Sequence, residues 1–154
     1  MKLITNLGGA DSPARTRAPE RGTFRVGAVQ TAWHRDAGEH RATLTAGVEL
    51  AARAGAQLVC LQELTLSPYF AIVPDGAEAL GVAAEPLPGG PTHAFAAELA
   101  ARFGLVVHAS LFEAAGEAEH PSVGAVPAGG GGFNTAIAFG PDGELLALTR
   151  KLHI

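Results

Sequence analysis

Ala56-Gln57-Leu58-Val59-Cys60-Leu61-Gln62-Glu63-Leu64 is a short apolar run that ends abruptly in a carboxylate. Such a run reads as a buried strand that delivers an acid to the rim of a sheet. A charge at that point costs free energy unless something pairs or uses it, which makes Glu63 the first candidate for chemistry. Side chains alternate along a strand, so Leu58, Cys60 and Gln62 fall on one face and Val59, Leu61 and Glu63 on the other. While the strand stays regular, Cys60 and Glu63 point apart. The single cysteine of the chain therefore reads as a buried structural thiol rather than a nucleophile.

On either side of this run, strand and helix patterns alternate. Arg25 to Gln30 is a first strand. Glu39 to Ala54 places Leu44, Val48, Ala51 and Ala52 at i, i+4, i+7 and i+8, one face of a helix, with Gly55 where a C-terminal cap belongs. After the quoted run, a long connection through Pro68-Tyr69-Phe70 to Pro88 holds a short helix near Gly76 to Val82. Gly89-Gly90-Pro91 starts another helix, with Phe95, Leu99 and Phe103 on one face and Gly104 at its end. Leu105 to Phe112 is a third strand, and Glu113 to Gly132 a loose loop. Phe133 to Phe139 and Glu144 to Arg150 are two strands joined by Gly140-Pro141-Asp142-Gly143, a hairpin signal. The order points to an α/β domain with helices packed on a sheet.

Composition narrows the classes. The 154 residues leave room for one domain with a real core, and 47% apolar with 17% charged residues fits a globular chain. A net charge of −4 indicates no basic surface for nucleic acid. No run approaches the ~18 apolar residues of a membrane span, and one cysteine offers neither a disulfide framework nor a thiolate cluster, which fits a reducing cytoplasm. Residues 1–22, rich in Gly, Pro, Arg and Ala, read as a mobile leader.

Lys151, three residues before the end of the sequence, is the second candidate, because it follows the last strand as Glu63 follows the second. Both stand at C-terminal ends of strands, the rim where open α/β sheets usually place their sites. The six histidines, at 34, 40, 93, 108, 120 and 153, show no ligand spacing, so no metal site is expected from them. His108 reads as a hydrogen-bonded core residue inside a strand. Glycines 129 to 132 lack the Gly-Lys-Ser/Thr ending of a phosphate loop, and there is no Gly-x-Ser-x-Gly elbow.

These elements, taken in order, resemble the nitrilase superfamily of carbon–nitrogen hydrolases. The resemblance rests on Arg25 to Gln30, Leu58 to Leu64 with Ser67-Pro68-Tyr69-Phe70, Gly104 to Val107, Leu111-Phe112-Glu113, Phe133-Asn134-Thr135-Ala136, Pro141-Asp142-Gly143 and Arg150-Lys151-Leu152-His153-Ile154. It implies a four-layer α-β-β-α sandwich of the nitrilase type, of which residues 23–154 are about the first half. It also implies a Glu-Lys-Cys triad, with Glu63 as general base and Lys151 as the triad lysine. Tyr69 and Phe70 resemble the aromatic segment beside the substrate pocket, and His153 has at most a supporting role. The implied substrate is a linear amide or an N-carbamoyl compound, handled without a cofactor or metal by an enzyme that forms homo-oligomers at full length. The family's nucleophilic cysteine and a second glutamate follow the lysine and would come after Ile154. Cys60 does not match the nucleophile, so the chain as written is expected to be inactive and marginally stable.

Two other readings compete. Val59 to Glu63 also resembles the metal-binding strand of exonuclease-III-like nucleases and phosphatases, with Glu63 as a Mg²⁺ ligand. That fold supplies an asparagine on its first strand, and Arg25 to Gln30 contains none. The other reading is a non-catalytic fragment that pairs with a full-length relative.

Overall fold

The structure, a computed structural model, describes residues 1–6, 20–115 and 132–151. The segments read from sequence as a leader and a glycine-rich loop fall mostly at 7–19 and 116–131, which with His153 lie outside these described residues. Two strand–helix–strand units come first: β1 (Val26–Ala28), α1 (Ala37–Arg53) and β2 (Leu58–Cys60), then α2 (Gly76–Ala79), α3 (Pro91–Phe103) and β3 (Val106–Ala114). A hairpin of β4 (Gly132–Phe139) and β5 (Leu145–Arg150) completes one five-stranded sheet in the order β1-β2-β3-β4-β5. The first three strands are parallel and the last two antiparallel. Right-handed crossovers that step along the sheet in one direction place their helices on the same face. Accordingly α1 and α3 share one core with the sheet.

Local chemistry sets the helix ends. Asp36 caps α1 by accepting the Glu39 N–H at 2.8 Å, a contact worth about 1 kcal/mol. Pro91 opens α3, and the Glu85 carboxylate accepts both the N–H and the hydroxyl of Thr92 at 2.7 Å. Gly104 ends α3 in the left-handed region with φ 63°, which glycine adopts without a Cβ penalty. In the hairpin, Gly143 at φ 81° lets its N–H return to the Gly140 carbonyl.

Alternation divides the sheet. Val59, Val107, Ala109, Leu111, Ile137 and Phe139 face the helices and are buried with Leu44, Val48, Phe95 and Leu99. The register places Val26, Leu58, Cys60, Val106, His108, Phe112, Ala136 and Ala138 on the other face, where they are half-buried or exposed. The described residues thus form two layers, one of helices and one of sheet. Two readings of the sequence need correction here. Cys60 is half-buried, and His108 faces away from the helical core, with an Nδ1 that makes no hydrogen bond among the described residues.

The strand–loop boundary after β3 also differs from expectation. Glu113 was expected to begin a loop, yet it is a strand residue only 2% exposed. Its charge is compensated by Arg150 Nε at 2.9 Å and the Thr135 hydroxyl at 2.5 Å, which lets the strand continue through it.

An apolar sheet face of this kind favours association, and on the helix side β5 leaves Leu148, the register partner of Ile137, 44% exposed. Light scattering on a size-exclusion column is expected to show the 154-residue chain shifting toward dimers or larger species as concentration rises. A monomer at every concentration would contradict this.

Candidate active site

Glu63 reaches the rim through a break in strand pairing. The Leu61 N–H donates to the His108 carbonyl at 2.9 Å, and the next backbone-to-backbone bond to β3 is from the Thr65 N–H to the Ser110 carbonyl at 2.8 Å. The chain thus advances from 61 to 65 while β3 advances only from 108 to 110. Two surplus residues loop out, as in a β-bulge, and Leu64 takes a left-handed backbone with φ 53°. Strand β2 is consequently three residues long rather than the full apolar run.

The excursion overturns the expected parity. Glu63 Oε1 accepts from Asn134 Nδ2 at 2.7 Å. Asn134 pairs with Phe112, and register carries that face through Ala136, Ala138 and His108 to Cys60. Glu63 therefore turns its carboxylate to the Cys60 side of the sheet. The alternation rule held only as far as Leu61, which is buried in the helical core as expected.

Lys151 is brought to the same place by β5. Its backbone N–H donates to the Asn134 carbonyl at 2.8 Å, one step beyond the end of the strand, and its ammonium donates to Glu63 Oε1. Residues 88 positions apart in sequence thus meet in an ion pair. The Lys151 ammonium holds the Glu63 carboxyl below the usual glutamate range, against the opposing effect of desolvation and with help from Asn134 and the Tyr69 hydroxyl. The Glu63 carboxylate in turn raises Lys151 above the usual lysine range. Both groups are charged at neutral pH. Burial pushes the Cys60 thiol up, away from the thiolate that a nucleophile requires.

The two aromatic candidates separate. Tyr69 is 45% exposed beside Glu63. Phe70 begins a 3₁₀ turn (Phe70–Ile72) and meets the Phe112 ring edge-on, with centroids 5.0 Å apart. Phe70 and Phe112 help line an open cavity of about 800 Å³ that also touches Leu64, Val73, Val82 and Asn134. The cavity thus borders the residue that holds Glu63.

Sequence reasoning missed Asn134, although one signal was available. Alternation in Phe133-Asn134-Thr135-Ala136 puts Asn134 on a face with alanines, where an amide has no evident reason to be. It also missed the ion pair of Glu113 with Arg150, whose guanidinium lies 4.4 Å over the Phe133 ring. No pattern within either strand signals that pair.

Comparison with known proteins agrees with this architecture. A family model described as Carbon-nitrogen hydrolase matches residues 25–154. An N-carbamoylputrescine amidase of Solanum lycopersicum is 33% identical over 129 residues, which cover 84% of this chain and 38% of that protein. A carbon–nitrogen hydrolase of Helicobacter pylori G27 superposes with a TM-score of 0.59 at 27% identity, covering 85% of this chain and 40% of its own. An N-terminal amidase superposes with a TM-score of 0.62 at 13% identity, a likeness of fold alone, over 85% of this chain and 28% of its own. The chain thus spans less than half the length of these relatives. The family model's match over residues 25–154 sets aside the exonuclease-like alternative. With its mixed five-stranded sheet, its one-sided helices and a family match over residues 25–154, this chain belongs to the carbon–nitrogen hydrolase family, the nitrilase superfamily.

Proposed function

We propose that Glu63 is the general base and Lys151 the oxyanion-stabilising cation of a site that hydrolyses linear amides or N-carbamoyl compounds. The supporting observation is the meeting of Glu63, Lys151 and Asn134 beside an open cavity at the sheet rim. The relative from tomato bears the name of an amidase for an N-carbamoyl amine, which favours the same class of bond.

The steps follow from the groups. A cysteine thiol gives its proton to the Glu63 carboxylate, and the thiolate attacks the carbonyl carbon. The oxygen becomes an oxyanion, which the Lys151 ammonium stabilises. The C–N bond breaks as the departing nitrogen takes the proton from Glu63, leaving a thioester. Water then loses a proton to Glu63 and attacks the thioester, which releases the acid and restores the thiol. A carboxylate held ionised by Lys151 is ready to accept a proton at neutral pH, although the same pairing weakens it as a base. Cys60 is not placed for the attack, since its thiol is held protonated and belongs to a strand rather than a turn. The nucleophile in this reading is a cysteine outside these 154 residues.

Ammonia release from linear amides and N-carbamoyl amines tests the proposal. The 154-residue chain alone is expected to release none. Joined to a family C-terminal portion that carries the cysteine, it is expected to turn over, with kcat reduced about 10²-fold or more in Lys151→Met. Turnover indifferent to Lys151→Met would overturn the assignment. Turnover by the short chain that vanished in Cys60→Ser would overturn the external nucleophile.

A further inference from the structure

Three features of the rim are not used by this chemistry: the left-handed backbone of Leu64, the buried Ser110 and the buried Thr65. They belong to one hydrogen-bond circuit. The Leu64 N–H donates to Ser110 Oγ at 3.2 Å, and the Ser110 hydroxyl donates to Asn134 Oδ1 at 3.4 Å. Asn134 Nδ2 donates to Glu63 Oε1, and Glu63 is the chain neighbour of Leu64. The circuit begins and ends on the same looped-out segment.

Its polarity is determined. A carboxylate only accepts, so the amide must turn its NH₂ toward Glu63 and its oxygen away. That oxygen needs a donor. The Leu64 N–H occupies a lone pair of Ser110 Oγ, which directs the hydroxyl proton to Asn134. Thr65 fixes the base of the loop. Its N–H donates to the Ser110 carbonyl, the Ser110 N–H donates to Thr65 Oγ1 at 3.1 Å, and that hydroxyl donates to the Gln62 carbonyl at 2.9 Å. The Thr65 carbonyl is held in turn by Nε2 of His40, itself 1% exposed, at 2.9 Å. A non-glycine residue at positive φ persists only when its surroundings over-determine it, and these bonds do so for Leu64.

We infer that Ser110 is a positioning residue for Glu63, its hydroxyl tying the looped-out backbone to the Asn134 amide and so aiming that amide at the carboxylate. The catalytic consequence rests on Glu63 being the base. The hydrogen-bond circuit itself does not, and can be measured without turnover.

The experiment is a carbon-13 NMR titration of the glutamate carboxyls in the full chain, comparing wild type with Ser110→Ala, Ser110→Thr and Ser110→Cys. The groups facing Glu63 are Lys151, Asn134 and Tyr69. In Ser110→Ala the amide is no longer held, and the Glu63 midpoint is expected to rise by about half a unit to one unit. Ser110→Thr restores the hydroxyl and is expected to return it. Glu113 lies on the same strand but is held by Arg150 and Thr135, so its midpoint should stay put. A Glu63 midpoint unmoved in folded Ser110→Ala overturns the inference, as does a common shift of Glu63 and Glu113, which would mean general loosening. Should Ser110→Ala fail to fold, Ser110→Cys decides in its place by the same criterion. In the joined enzyme, kcat should fall about tenfold in Ser110→Ala with KM nearly unchanged. A midpoint shift without loss of kcat would retain the circuit and sink the catalytic role of Glu63.

Discussion

Glu63→Gln in the joined enzyme is expected to lower turnover of linear amides by about 10²–10⁴-fold, the usual contribution of a positioned acid–base group, with the fold retained. The fold should survive because Glu63 lies at the rim, with its side chain 34% exposed. Glutamine keeps an oxygen that can accept from Asn134. The ion pair it loses is with an exposed lysine, and such pairs add little to stability. Chemistry depends on what glutamine cannot do, which is to take a proton from a thiol and later from water. Glu63→Asp is expected to fall between the two, because the shorter side chain keeps the proton site but withdraws it from Asn134 and Lys151. Ammonia release and a thermal melt on the same samples check both halves of the statement. Turnover within a few-fold of wild type in folded Glu63→Gln would remove Glu63 from the reaction.

Arg150→Met is expected to cost about 3 kcal/mol in urea unfolding, the largest stability effect among these substitutions. Removing one partner of a buried pair leaves an uncompensated charge, which costs about 3–5 kcal/mol. The lower end applies because the Arg150 side chain keeps 25% of its exposure and Thr135 still donates to Glu113. Arg150→Lys should recover only part of the loss, since an ammonium cannot reproduce the two-nitrogen contact with both Glu113 oxygens. The pH dependence carries a definite sign. Burial would raise the Glu113 carboxyl, but Arg150 and Thr135 overcome it and hold it below the usual range. A depressed carboxyl contributes stability that is fully present above its unfolded value of about 4.3 and is lost as pH falls through the lower folded value. Glu63 acts in the same direction. Wild-type stability should therefore decline below about pH 4.3, and Arg150→Met should flatten that decline. An equally steep acid decline in Arg150→Met would show that the pair does not carry it.

Much of this architecture was legible because it follows from local periodicity and punctuation. The stripe of Leu44, Val48 and Ala51 anticipated α1, displaced by a residue or two because Asp36 supplies the cap. Pro91 and Gly104 bracketed α3, and Gly140-Pro141-Asp142-Gly143 announced the hairpin. Loop and strand were harder to tell apart at Glu113. A charged residue there looks like the end of a strand until Arg150, on β5, is known to lie beside it.

For the site, the linear pattern was enough to single out the exceptional residues: a carboxylate closing an apolar run and a lysine just past the last strand. Chemistry so costly to bury stands out in a linear reading. The tertiary structure alone decided which way Glu63 points and what it meets. Two surplus residues between Leu61 and Thr65 reverse the face that alternation assigns, and Asn134 and Lys151 arrive from strands that the hairpin folds back. Alternation is a property of a regular strand, and regularity is set by pairing with β3, which no residue of the run encodes alone.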